Sequence, residues 1–514
     1  MIRRIHLIII TLLIGMVSCT PGKRERTIQN TAPTIFPDYS GIIIPKNIAP
    51  LNFRINHQGI KYCIIFGSRD EENFKIVSKK ADIRIPEKKW RKLLTKNAGN
   101  FITISLCVKT NEGIWECYKP IQNKISSDRI DPYIAFRRIN AGMIFWEDMA
   151  IVQRNLENFC ESDIISNQNT GNNCMNCHTF RNRDPESFML HIRGVPGGTL
   201  ITNKNKTLWL NTKTPYTLSP FVYPAWHPNG RYIAFSTNKI HQNFFGTGHR
   251  NNHVRDDASD LVVYDIDSNL AFTDPKIATL DFENMPAWSP DGRFLYYLRS
   301  KYEHKLMPDT SEMYDLMRIP FDPDTRKLGS PEMILSSDET GLSISFPQLS
   351  PDGNFLVFCM ADYGYFNINN TSSDLYLMNL SDMSYSKLDI NSDKTESFPN
   401  WSDNSRWLMF ASKRIDGMYT LPHFAYVDST GKVSKPFPLP MKDPEAYFTR
   451  LTNFNRPAFI KGKVTLTQNE LLKIVYSKNR DVIFDTLNVD IDALTRATIT
   501  NPTTPETSLP YMRD

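Results

Sequence analysis

The chain has 514 residues, with 60 Lys and Arg against 55 Asp and Glu for a net charge of +5, 40% hydrophobic residues and eight cysteines. That much apolar sequence supports two or three packed cores, which argues for a multidomain globular protein and against a disordered or fibrous one. The small, dispersed positive charge argues against a nucleic-acid partner, and the cysteines are too sparse for a disulfide-built scaffold.

The chain opens on Met1-Ile2-Arg3-Arg4, followed by an apolar run from Ile5 to Val17 and then Ser18-Cys19. A basic start, a short apolar core and a small residue at the break describe a secretory signal over 1–18, too short to span a bilayer. The stretch Gly15-Met16-Val17-Ser18-Cys19 resembles a bacterial lipoprotein box, departing from it at Met16, where Leu is usual. That resemblance implies that Cys19 is lipidated and becomes the mature N-terminus, with 19–32 as a tether and the membrane as a partner. The tether lacks the acidic run of surface-exported lipoproteins of the Bacteroidota type. The expected location is therefore the cell envelope, on the outer membrane facing the periplasm.

Residues 33–130 read as a β-sandwich. Leu51–Ile55, Lys61–Phe66 and Phe101–Val108 are rich in β-branched and aromatic residues. Asn111-Glu112-Gly113 turns the last run back into Ile114–Tyr118, and a simple hairpin centred there sets Cys107 opposite Cys117. The pair forms either a disulfide or two buried thiols. The unit resembles fibronectin or immunoglobulin modules.

Residues 131–193 read differently. Glu147–Phe159 has apolar residues at helical spacing, a polar loop runs from Ser166 to Asn173, and Asp184-Pro185-Glu186 opens a short second helix through Leu190. Between them lies Cys174-Met175-Asn176-Cys177-His178. A C-x-x-C-H string arises by chance in a chain of this composition about two times in a thousand and reads as c-type haem attachment. On that reading Cys174 and Cys177 form the thioethers of one haem c and His178 is the axial iron ligand. Met189 or His191 supplies the sixth position, with Met143 and Met149 as competing donors. A thioredoxin-like dithiol needs a strand before it and a helix after it, which the polar upstream loop does not offer. A zinc site built from Cys160, Cys174, Cys177 and His178 is hindered by the adjacency of its last two ligands. Export and haem attachment support one another, because covalent haem ligation in bacteria takes place outside the inner membrane.

Four segments then repeat. Tyr223–Phe235, Met285–Tyr297, Phe346–Phe358 and Phe398–Phe410 each carry a strand, a tight turn and an alternating strand. Partner strands recur at Ser259–Tyr264, Tyr314–Arg318 and Ser373–Met378. The segments resemble the TolB-like propeller repeat, intact as Pro286-Ala287-Trp288-Ser289-Pro290-Asp291-Gly292-Arg293 and eroded around Pro399. The resemblance implies a five- or six-bladed propeller over 194–475, closed by pairing its first and last segments. The insertion 241–257, with His241, His249 and His253, reads as a solvated loop. The tail 476–514 lacks periodicity, its last 15 or so residues reading as disordered.

The whole is expected to be mainly β: sandwich, short helical haem-binding segment, propeller. No G-x-S-x-G elbow accompanies the propeller, and no length remains for a hydrolase domain. The expected role is periplasmic electron transfer or redox sensing, with a protein partner on the propeller face. The alternative is an envelope scaffold in which the cysteine motif is structural. A third reading, an enzyme acting on peroxide or a nitrogen oxide, rests on resemblance to the cytochrome cd nitrite reductases at the level of architecture.

Overall fold

The computed structural model describes residues 26–68, 71–140, 148–204, 206–244, 252–302, 312–487, 489 and 491–492. The signal 1–18, Cys19, Met143, His249 and the last residues of the tail lie outside the described residues.

The N-terminal unit shares one core between a seven-stranded and a three-stranded sheet. Phe101–Lys109 shows the reason in miniature: Ile102, Ile104, Leu106 and Val108 point inward and alternate with more exposed residues, the period-2 pattern of a half-buried strand. The helix Glu87–Lys96 covers this core with Trp90, Leu93 and Leu94, an i, i+3, i+4 stripe. Cys107 lies opposite Cys117 across the hairpin, and the two are joined in a disulfide.

Six four- or five-stranded sheets follow, each a blade of one propeller. The innermost strands of blades 1 to 5 are Met175–Phe180, Val222–Trp226, Phe282–Trp288, Ser343–Leu349 and Glu396–Trp401. Blade 6 is composite. Its innermost strand, Thr452–Ile460, comes from the C-terminal side of the chain and pairs with Tyr133–Asn140, which continues into Met149–Asn155 and Glu161–Ser166. Closure thus joins distant parts of the chain and leaves no open edge between first and last blades.

The repeat motif explains itself as turn chemistry. The Ser289 hydroxyl donates to Asp291 Oδ1 at 2.6 Å and accepts from the Phe294 amide at 3.0 Å, and Ser350 and Ser402 do the same in their blades. The Trp288 and Trp401 indoles donate to the carbonyls of Ala225 and Gln348, each on the innermost strand of the preceding blade. Gly292 sits at φ +74, where a side chain would strain the turn and also strike His227.

Three expectations are corrected. The helix read over Glu147–Phe159 is the strand Met149–Asn155, whose first six residues are buried. A strand covered on both faces loses the alternation that identifies strands, and its apolar run then fits helical spacing equally well. The second helix is a short 3-10 turn at Arg181–Arg183 followed by the fully buried strand Ser187–Ile192. Among the described residues of 131–193 there is therefore no separate helical segment: those residues build the outer strands of blade 6 and the first two strands of blade 1, so the propeller starts near 133. The described part of the histidine-bearing insertion is not a simple loop either, since Tyr232–Phe244 and Asn252–Asp265 pair as strands as far as Phe244 with Asn252. In the tail, Arg480–Asp481 and Ile483–Phe484 pair with the outer edges of blades 1 and 2.

The sandwich is not a loose appendage. Its core runs without a break into Trp407 and Phe424 of blade 5 and Phe136, Phe454 and Phe459 of blade 6. The hydroxyls of Tyr39 and Tyr447 meet at 2.9 Å, and the Asn52 amide donates to the carbonyls of Met441 and Lys442.

Candidate functional site

The six innermost strands ring a central cavity of about 620 Å³. Each carries a β-bulge at the same place, where the pairing ladder skips two residues: Cys177-His178, Tyr223-Pro224, Met285-Pro286, Phe346-Pro347, Phe398-Pro399 and Arg456-Pro457. The first residue of each pair has a positive φ, from +47 at Tyr223 to +57 at Cys177. Five of the six pairs end in proline, which has no N–H to offer a ladder and fits a bulge. The cysteine motif is therefore the bulge of blade 1, with histidine where the other blades have proline.

Cys174, Cys177 and His178 all line the cavity, and both thiols are free. His178 is 2% exposed, its ring close to main-chain groups of Arg456 and Ala135, yet its Nε2 has no hydrogen-bond partner of normal geometry. Burial, then the positive charges of Arg456 and Arg137, pull its pKa from 6.5 down to about 3, so the ring is neutral at pH 7. Neutral imidazole is the form that ligates metals.

Of the two residues considered for the sixth iron position, only His191 reaches the cavity. Its Nδ1 is 2.9 Å from the Thr199 hydroxyl, and burial followed by the charge of Arg193 lowers its pKa to about 3. Met189, on the same face of the strand, is fully buried among Ile201, Leu210 and Phe221. Met149 also lines the cavity, but its sulfur accepts the Met175 amide at 3.2 Å. The zinc set is not assembled: among the described residues no group of three or more His, Cys, Asp or Glu is arranged to hold a metal ion.

The cavity wall combines aromatic rings, including Phe346, Phe366 and Phe398, with cations. Among the described residues that line it are Arg137, Arg183, Arg193, Lys413 and Arg456, and no Asp or Glu. Sequence reasoning missed all five, because they come from blades 6, 1 and 5 with no common spacing. The Arg456-Pro457 pair was the available clue, since it repeats the bulge signature of the aligned segments. A cationic cavity of mixed polar and apolar lining, with two thiols outside any disulfide and an imidazole whose Nε2 lacks a hydrogen-bond partner, is chemically compatible with haem c, which is flat, carries two carboxylates and attaches through thioethers.

Comparison with known proteins yields fold likeness only. No family profile matches the chain, and no curated protein matches it. The Dos1 propeller is similar at 13% identity and a TM-score of 0.27, over 44% of this chain and 64% of that one. The Cps50 (Swd1) propeller of Myceliophteria thermophila is similar at 10% identity and a TM-score of 0.31, over 70% and 94%. A gluconolactonase of Xanthomonas campestris is similar at 12% identity and a TM-score of 0.24, over 41% and 60%. The chain thus spans less than two thirds of the first and third of these proteins.

Proposed function

We propose that this propeller is an exported lipoprotein, held to the envelope membrane through Cys19, that carries one haem c in its central cavity and serves periplasmic electron transfer or redox sensing. The observation that carries the reading is the convergence of two free thiols and the buried imidazole of His178, its Nε2 unpartnered, on one cavity. Cys174 and Cys177 would hold the group covalently and His178 would ligate its iron, with His191 nearest to the remaining position. The group would supply one-electron redox chemistry.

The chain's own part is to bind and to insulate. The bulge turns Cys177 towards the cavity while keeping His178 in the wall. Burial keeps both histidines in the neutral form that can ligate. Rings and prolines from the other blades, among them Phe346, Phe398, Pro286 and Pro347, supply the apolar part of the cavity lining, and where that surface lowers the local dielectric it strengthens the charges facing it.

The test is an SDS gel stained for haem peroxidase activity. The reading expects a stained band in the parent that is absent from Cys174→Ala/Cys177→Ala. Equal staining of both would sink it. A stable protein partner captured equally by that haem-free variant would instead favour the scaffold reading.

A further inference from the structure

The motif accounts for only one wall of the cavity. The adjoining seam between blades 6 and 1 holds Arg137, on Tyr133–Asn140, and Arg456, at the bulge of Thr452–Ile460. Arg137 donates to the Met175 carbonyl at 3.2 Å and to Asn455 Oδ1 at 3.0 Å, and its Nε is buried with no partner. Arg456 donates to the Pro224 carbonyl at 3.4 Å. Neither is in a salt bridge among the described residues, whereas Arg183, on the same cavity, pairs with Asp403 at 3.2 Å. Besides burial, the groups that bear most on the two arginines are the thiols of Cys174 and Cys177, the phenol of Tyr223 and, for Arg137, the charge of Arg193, and no carboxylate is among them.

The two guanidiniums keep some accessible surface but lie deep in the protein mass, and burial lowers the basicity of both, with Arg137 also opposing the charge on Arg456. Cations held partly away from solvent without a counter-charge are less favourable than paired ones. A fold tolerates that when an anion completes the site. Guanidinium forks match carboxylate and phosphate oxygens, and each such charge-assisted bond strengthens in a low dielectric.

We infer that Arg137 and Arg456 form an oxyanion-binding subsite in the propeller cavity, which receives a carboxylate or phosphate of the bound ligand. The inference builds on the reading of the cavity as a ligand site but does not require haem. Two sources share this chemistry: the carboxylates of an attached haem, or a separate small oxyanion.

The test titrates inorganic phosphate and citrate into the full chain and into Cys174→Ala/Cys177→Ala, by calorimetry. Binding to the thiol variant is expected, weakened about tenfold by Arg137→Gln or Arg456→Gln. Arg293→Gln, on the exposed turn of blade 3, should leave it unchanged. Arg137→Lys, which keeps the charge but loses the fork, should fall between. Binding to the thiol variant alone assigns the subsite to the haem carboxylates, and binding to both assigns it to a separate oxyanion. No binding to the thiol variant, or binding that Arg137→Gln, Arg456→Gln and Arg293→Gln affect alike, overturns the inference. A haem assay on the same samples separates the two claims: Arg-dependent oxyanion binding without haem overturns only the haem reading, and haem without such binding overturns only the subsite.

Discussion

His178 occupies a position at which every other blade has proline, and the ladder skips it in any case. Replacing it by proline should therefore restore the repeat rather than break the strand. His178→Pro is expected to stay folded within about 1 kcal/mol of the parent in urea titration and, on the proposed function, to lose the proposed axial ligand and with it the haem spectrum of the parent. A loss of stability beyond about 3 kcal/mol would mean that the imidazole is needed for packing instead. The same residue makes the fold acid-sensitive. Without an attached haem, burial holds His178 and His191 near 3 in the folded chain against 6.5 for a free imidazole, so below about pH 6.5 the unfolded chain takes up protons that the folded chain refuses. Their contribution is whole above that pH and is lost as pH falls towards 3. Asp131 and Asp256, raised to about 6 by burial, act with the opposite sign, their stabilisation fading as pH rises through 6. Comparing His178→Pro with its parent, both in the haem-free Cys174→Ala/Cys177→Ala background, cancels them, and thermal midpoints from pH 7 to pH 4 should fall less steeply in the variant. Identical slopes would contradict the assignment. At this scale the cysteine motif was legible from its spacing alone, but its place in the repeat was not, because the proline that marks that place is the residue replaced.

Among the elements, the closing strand Thr452–Ile460 carries the most risk, since it pairs the C-terminal part of the propeller with Tyr133–Asn140. Phe454, 2% exposed, packs its ring 4.5 Å from Phe136 of that partner strand. Phe454→Ala is expected to cost about 3–5 kcal/mol by urea unfolding, and Leu451→Ala, whose side chain is exposed, less than about 1. Equal small losses would mean that closure does not depend on this contact. Blades 2 to 5 could be read from sequence because each keeps its Pro and its turn, as in Pro347 with Ser350-Pro351-Asp352-Gly353. Blade 6 was legible only as a degenerate last copy near residues 448–460 and a closure between first and last segments, because its strands come from both ends of the propeller sequence and Met149–Asn155, buried on both faces, has no period of its own. Blade 1 was legible only in parts of its outer strands Gly198–Asn203 and Lys206–Asn211, because Ser187–Ile192 is buried throughout and one edge is supplied from residues 480–481.

For the whole molecule, one apolar cluster links the sandwich to blades 5 and 6, reinforced by Arg54 with Glu445 at 2.6 Å and by Asn52 with the Met441 and Lys442 carbonyls. Units that share a core unfold together. A single calorimetric transition is expected, and two well-separated transitions would show the sandwich to be an independent domain. That continuity was not visible in the sequence, which divides sandwich from propeller by pattern but says nothing of the side chains between them. On the proposed function, a closed six-bladed propeller holds a haem through a motif set in its own wall. The intact mass and alkaline pyridine spectrum of the chain purified from the envelope of cells that attach haem c test this directly. One covalent haem per chain is expected. A mass equal to the haem-free protein, with no haem absorbance and both Cys174 and Cys177 open to alkylation after unfolding, would contradict it.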